Sequence, residues 1–134
     1  MATSDDLLDW EPVLSPDGEL APVFAPREGK FDSLMVEPGP PAVLTKAGIV
    51  FLYNGRNAEG DGGDESLGAY AYSGGQALLD PTDPMRLITR LEEPFFRPQL
   101  PWEMTGQYVA GTTFIEGLVR HQGRWLLYYG CADS

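Results

Sequence analysis

The sequence predicts an all-β fold, an antiparallel meander of short strands. Three observations carry this. The 134 residues include Gly 16 and Pro 12, which punctuate the chain too often for long helices. No long window shows the 3.6-residue apolar repeat of an amphipathic helix. Runs of β-branched and aromatic residues come in pairs around short polar turns, the pattern of hairpins. This length corresponds to one domain at most, and 43% hydrophobic residues suffice for a modest core.

Taken in order, residues 1–31 are rich in Pro, Asp, Glu and Gly and read as an irregular lead-in with one short strand at 20–24. Clear strand signals begin at Pro41. "AVLT" and "IVFLYN" flank "KAG" and predict a hairpin. "NAEGDGGDESLG" reads as a solvated loop. "LGAYAYS" alternates small residues with tyrosine and ends in "GG". "QALLD" and "RLITRL" flank "PTDPM", a turn with proline on both sides. "VAGTTFIEGLVRH" and "RWLLYYG" pair around "QG".

Two of these hairpins repeat. "VLTKAGIVFLYNG" begins at Val43 and "LVRHQGRWLLYYG" at Leu118. Gly48 aligns with Gly123, Tyr53 with Tyr128, and Gly55 with Gly130. Chance recurrence in a meander is the plain alternative. The repeat otherwise reads as partial blades of a β-propeller, a first blade over 32–92 and part of the next over 93–134. The spacing exceeds a typical blade of ~40–50 residues, with the excess in the loop after Gly55 and the linker "EEPFFRPQLPWEMTGQ". One and a half to two blades cannot close a ring. The open strand edges therefore predict either a truncated chain or self-association edge to edge.

The net charge is −11, with only Lys30 and Lys46 as lysines. A basic stripe is absent, so neither nucleic acid nor an anionic membrane surface is an expected partner. A neutral ligand such as a sugar suits this charge. Single Cys131 excludes a disulfide scaffold. "MATSDDLLDW" lacks a signal-peptide pattern, and a cytoplasmic location is the default expectation. Lone His121, expected at the surface, has no second histidine for a zinc site. Phosphate loops, dinucleotide fingerprints and supported Ser-His-Asp sets are also missing.

The candidate catalytic residues are carboxylates. Glu37 precedes Pro38 in "VEPGPP", and a following proline biases it to an extended backbone. Stiff backbone fixes a side chain's direction, as a catalytic base requires. Its plainer reading is a solvated acid before a strand. Glu116 interrupts the run "GTTFIEGL" next to Gly117 and suggests a side chain facing a channel, or else the outward face of a strand. Asp32 is a further channel candidate. Glu103 in "WEMTG" reads as a structural turn carboxylate. Most strand aromatics read as packing, with Tyr129 a candidate to stack on a sugar.

Four segments, in order, resemble glycoside hydrolase family 130: "EPGPPAVLTKAGIVFLYNG", "ALLDPTDPMRLITRLEEPFFRP", "WEMTG" and "FIEGLVRHQGRWLLYYGCADS". The resemblance covers residues 31–134 and looks like the family's C-terminal part. It implies a five-bladed β-propeller acting on β-mannosides without cofactor, with a mannooligosaccharide as partner. It also implies that the general-acid aspartate lies on an earlier blade, so the chain alone is expected to be inactive. Asp133 matches a sugar-binding aspartate. Met35 stands where the family's phosphorylases carry a phosphate-binding lysine, and Asn54 where they carry a histidine. A carboxylate nearby, Glu37, repels phosphate but accepts a proton from water. The departures favour hydrolysis over phosphorolysis, with Glu37 or Glu116 as base and Asn54, Asp32, Tyr129 and Asp133 against the sugar. The alternative is a non-catalytic partial propeller that self-associates or binds glycans.

Overall fold

The computed structural model describes residues 1–132. Strands dominate. A small ribbon pairs β1 (Ala2–Thr3) with β2 (Glu11–Pro12). The main sheet holds β3 (Met35–Pro38), β4 (Val43–Thr45), β5 (Gly48–Arg56), β6 (Tyr72–Leu79) and β7 (Leu87–Arg90), all antiparallel. A one-turn helix, α1 (Pro101–Met104), leads to a second ribbon of β8 (Phe114–His121) and β9 (Arg124–Gly130). Among the described residues no helix is long and apolar enough to cross a membrane.

The strands β3 and β4 lie end to end along one edge of β5, opposite 53–56 and 48–50 respectively. Residues 39–42, "GPPA", make the break between them. Pro40 and Pro41 have no N–H to give a ladder, so pairing stops there and resumes at Val43. This explains the rigid stretch after Glu37, and it adds a strand that the sequence reading began only at Pro41.

Both turns of the repeat are two-residue hairpins, but their glycines are not equivalent. Gly48, at φ 139°, begins β5 opposite Thr45. Gly123, at φ 81°, lies inside the turn with Gln122 at φ 49°, both left-handed as such a hairpin turn requires. The expected strand at 20–24 does not form. Leu20 makes only an isolated bridge to Leu14, and Pro22 and Pro26 deny the segment ladder donors. Val23 and Phe24 instead pack on the core of Phe31, Tyr53, Ala77 and Leu79.

That core covers one face of the main sheet. Tyr53 lies over Gly75, where a Cβ would fall 2.2 Å from the tyrosine ring carbon. Phe24 meets Tyr53 edge to face at 5.1 Å. The other face of the sheet turns toward β8 and carries the chemistry.

Candidate active site

Directly opposed residues of paired strands share a face. Glu37 opposes Asn54, Met35 opposes Arg56, and Arg56 opposes Tyr72. Met35, Glu37, Asn54, Arg56 and Tyr72 therefore share the β8-facing side.

Asn54 makes the joint between the sheets. Its Oδ1 accepts the Ile115 N–H at 2.7 Å, and its Nδ2 donates to the Ile115 carbonyl at 3.0 Å. The side-chain amide pairs with Ile115 as a neighbouring strand would. Nδ2 also donates to the Pro38 carbonyl at 3.3 Å. Both Asn54 and Ile115 are fully buried. Asn54 is thus a clamp with its amide capacity used by backbone, rather than a group open to a sugar.

Next to that joint, β8 bulges. Ile115 pairs with Tyr129 and Gly117 with Tyr128, leaving Glu116 unpaired between them. A bulge re-aims the side chain it carries. Glu116 lines an open cleft of about 400 Å³ with Arg56, Tyr72, Tyr108, Thr112 and Phe114. The Tyr72 and Phe114 rings meet edge to face at 5.3 Å.

Glu37 approaches the same tyrosine. Burial pushes the Tyr72 phenol above its ordinary pKa, and the Glu37 carboxylate beside it pushes the same way. Oε2 of Glu37 is buried and has no hydrogen-bond partner among the described residues. Nε of Arg56 is likewise buried and unpartnered. The Arg56 guanidinium sits 5.2 Å from the Tyr70 ring and 5.4 Å from the Tyr72 ring. The cleft region therefore gathers two carboxylates, a guanidinium and a phenol. Such a set accepts a proton from water and donates hydrogen bonds to oxygen ligands. Among the described residues no cluster of three His, Cys, Asp or Glu side chains is placed to hold a metal ion.

The remaining candidates lie elsewhere. Asp32 is fully buried on the opposite face. Arg27 grips it through Nε at 3.2 Å and a terminal nitrogen at 2.9 Å, Arg90 adds an ion pair, and Tyr53 donates its hydroxyl at 2.7 Å. Burial first, then Asp32, pushes the Tyr53 phenol up to about 12, although Arg90 pulls the other way. Asp32 holds the core together and points away from the cleft.

Tyr129 donates its hydroxyl to Glu103 Oε1 at 2.7 Å and meets Phe96 edge to face at 4.7 Å. It lines a separate hollow of about 520 Å³ with Phe95, Leu100 and Glu103. Buried Glu103 also accepts the Gln99 and Leu100 N–H groups at 2.8 Å each. Burial opposes its ionisation, but these bonds outweigh burial and hold the carboxyl below its ordinary value. Glu103 is structural, as the sequence suggests. His121 is exposed. Asp133 lies outside the described residues.

Arg56, Tyr70 and Tyr72 were not among the residues picked from the sequence as candidates. Strand alternation supplies the signal: Arg56 is two residues beyond Asn54 and so on the same face.

Comparison with known proteins bears on this site. The family model Glyco_hydro_130, described as beta-1,4-mannooligosaccharide phosphorylase, matches residues 1–134. A 1,2-beta-oligomannan phosphorylase of Thermoanaerobacter sp. (strain X514) is 32% identical over 134 residues, covering 100% of this chain and 39% of that protein. The crystal structure of a glycosyl hydrolase from Bacteroides ovatus superposes with a TM-score of 0.93 at 56% identity, covering 99% of this chain and 36% of its own. Another structure comes from work on how the mannoside phosphorylase family GH130 contains glycoside hydrolases that target β-1,2 mannosidic linkages in Candida mannan. It superposes with a TM-score of 0.95 at 56% identity, covering 99% of this chain and 37% of its own. The chain thus spans less than half the length of each of these relatives.

Proposed function

This chain belongs to glycoside hydrolase family 130, and from that premise we propose that it carries the water-activating side of a β-mannoside hydrolase. One observation carries the reading: the buried Glu37 Oε2 that no described group satisfies. It stands on the face where the family resemblance expects phosphate ligands. Here those positions are the thioether of Met35 and the fully engaged amide of Asn54. A carboxylate with an open lone pair accepts a proton from water, and it repels phosphate.

In an inverting hydrolysis this base acts opposite a protonated carboxyl that serves the leaving oxygen. The resemblance assigns that acid to an aspartate of an earlier blade, so the reading pairs Glu37 with a residue of a longer protein. Glu116, re-aimed by its bulge, is the second candidate base. The division into a five-stranded sheet at 35–90 and a ribbon at 114–130 supports a two-blade partial propeller. The 56%-identical structures described as hydrolases support hydrolysis, with β-1,2 linkages the first to try. The non-catalytic reading finds no support among relatives, which are described as enzymes.

Phosphorolysis is the second reading, and Arg56 favours it, because a guanidinium in the cleft could take a phosphate oxygen. The test is a chimera in which this chain replaces the matching 36% of the Bacteroides ovatus glycosyl hydrolase. Given β-1,2-mannobiose, it should release mannose at a rate independent of inorganic phosphate. Mannose 1-phosphate as the main product would refute hydrolysis.

A further inference from the structure

We infer that Arg56 is a sugar-binding residue, whose open N–H groups take a pair of adjacent hydroxyl oxygens of a mannoside in the cleft it lines with Tyr72 and Glu116. This rests on the mannoside reading above and names a ligand contact for that same site.

Arg56 carries an unmet donor. The chain has 20 Asp and Glu residues, yet Arg56 forms no ion pair with any described one. Arg27, Arg86 and Arg90 each do. Nε of Arg56 is moreover buried with no acceptor. Buried donors are rarely left unpaired, and because this side chain lines a cleft, a ligand that enters can supply the acceptor.

The guanidinium is held between the faces of Tyr70 and Tyr72. Tyr70 sits at φ 68°, a left-handed conformation uncommon for a bulky residue. Strain of this kind persists where surrounding structure over-determines it, and it clusters at binding sites. Here the restraint is visible. The Tyr70 N–H donates to the Asn57 carbonyl at 3.0 Å, and its hydroxyl donates to Glu59 at 2.7 Å. Buried Asn57 in turn binds the carbonyls of Asp64, Leu67 and Gly68, fixing the loop that presents Tyr70. A turn's worth of backbone is thus ordered to keep one aromatic face beside one arginine.

The surrounding charge selects the ligand. Glu116 shares the cleft, Glu37 shares the sheet face, and Glu59 binds Tyr70. Carboxylates on the cleft wall, the sheet face and the Tyr70 loop disfavour a dianion and leave neutral oxygen acceptors. The planar fork of arginine spans two oxygens at once, matching adjacent hydroxyls of a pyranose.

Calorimetry of the chain with β-1,2-mannobiose tests this. Arg56→Gln should weaken binding on the order of tenfold or more, as expected for lost hydrogen bonds from a charged donor. Arg56→Lys, which keeps the charge but loses the fork, should also bind less tightly than the native chain. Circular dichroism matching the native chain guards against misfolding. Unchanged affinity in a folded Arg56→Gln chain would overturn the inference, and so would no binding by the native chain. Inorganic phosphate titrated in place of the sugar should give no Arg56-dependent heat; a saturable one would make this an anion site instead. In the chimera the two claims separate. Phosphate-dependent turnover with an Arg56-dependent KM sinks hydrolysis and keeps Arg56 on the sugar. Hydrolysis with an unchanged KM in Arg56→Gln does the reverse.

Discussion

The hairpins β4–β5 and β8–β9 are written with nearly the same pattern, and within this chain one is covered and the other is open. Tyr53 and Tyr128 occupy matching positions in the sequence repeat. Tyr53 is 1% exposed and Tyr128 is 59% exposed. Each ring lies against a cross-strand glycine, Gly75 and Gly117 respectively. Local geometry is therefore shared, and burial is not. β5 has partners on both edges and a layer of Phe24 and Phe31 on one face. Among the described residues β9 pairs only with β8 and leaves Trp125 and Tyr128 largely exposed. The repeat encodes a strand, a turn and a strand. What covers the result is decided by segments far along the chain.

The sharpest way to break this comparison is to truncate both tyrosines. Tyr53→Ala removes a buried ring and is expected to cost about 3–5 kcal/mol. Tyr128→Ala should stay within about 0.5 kcal/mol, as surface changes do. Urea unfolding measures both, and equal losses would mean that the ribbon's tyrosine is covered as well.

A smaller effect separates the same pair by titration. The unfolded Tyr53 phenol ionises near 10, while the folded one resists until about 12. Its contribution is therefore complete below pH 10 and is lost as pH rises from 10 to about 12, amounting to about 2–3 kcal/mol. Tyr53→Phe should flatten this part of the stability curve relative to the native chain. Tyr128→Phe should leave it unchanged.

Smaller again is the clamp that joins the two hairpins. Asn54→Ala leaves the Ile115 N–H and carbonyl without their partners. The expected cost is about 1–3 kcal/mol. The Ile115 amide should also exchange with solvent faster than its neighbours in β8. Protection as in the native chain would show that the bonds of Tyr72 to Gly111 and Thr113 hold the ribbon without Asn54.

Much of this arrangement was legible in advance. The three hairpins follow from β-branched and aromatic runs around polar turns. Glu116 next to Gly117 suggested a side chain facing a channel or the outward face of a strand, and the bulge that sets its direction left no mark in the pattern. β3 was harder to read, because its residues run straight into the prolines that end it. Asp32 looked like a channel acid because nothing nearby in sequence announces Arg90, which reaches it from 58 residues away. Asn54 looked like a ligand because its backbone partner, Ile115, lies 61 residues on. Arg56 was legible by alternation alone, but without a charged partner or motif beside it nothing drew attention there. Period and turn chemistry are local, whereas satisfaction of buried polar groups is settled by the tertiary fold.

In the proposed mechanism Glu37 activates water on the face that β8 closes. The most direct measurement is turnover of β-1,2-mannobiose by the chimera, native against Glu37→Gln, with folding checked by circular dichroism. Loss of about a hundredfold or more in kcat, the scale of a general base, is the predicted result. Near-native kcat in a folded Glu37→Gln chimera would contradict it and pass the role to Glu116.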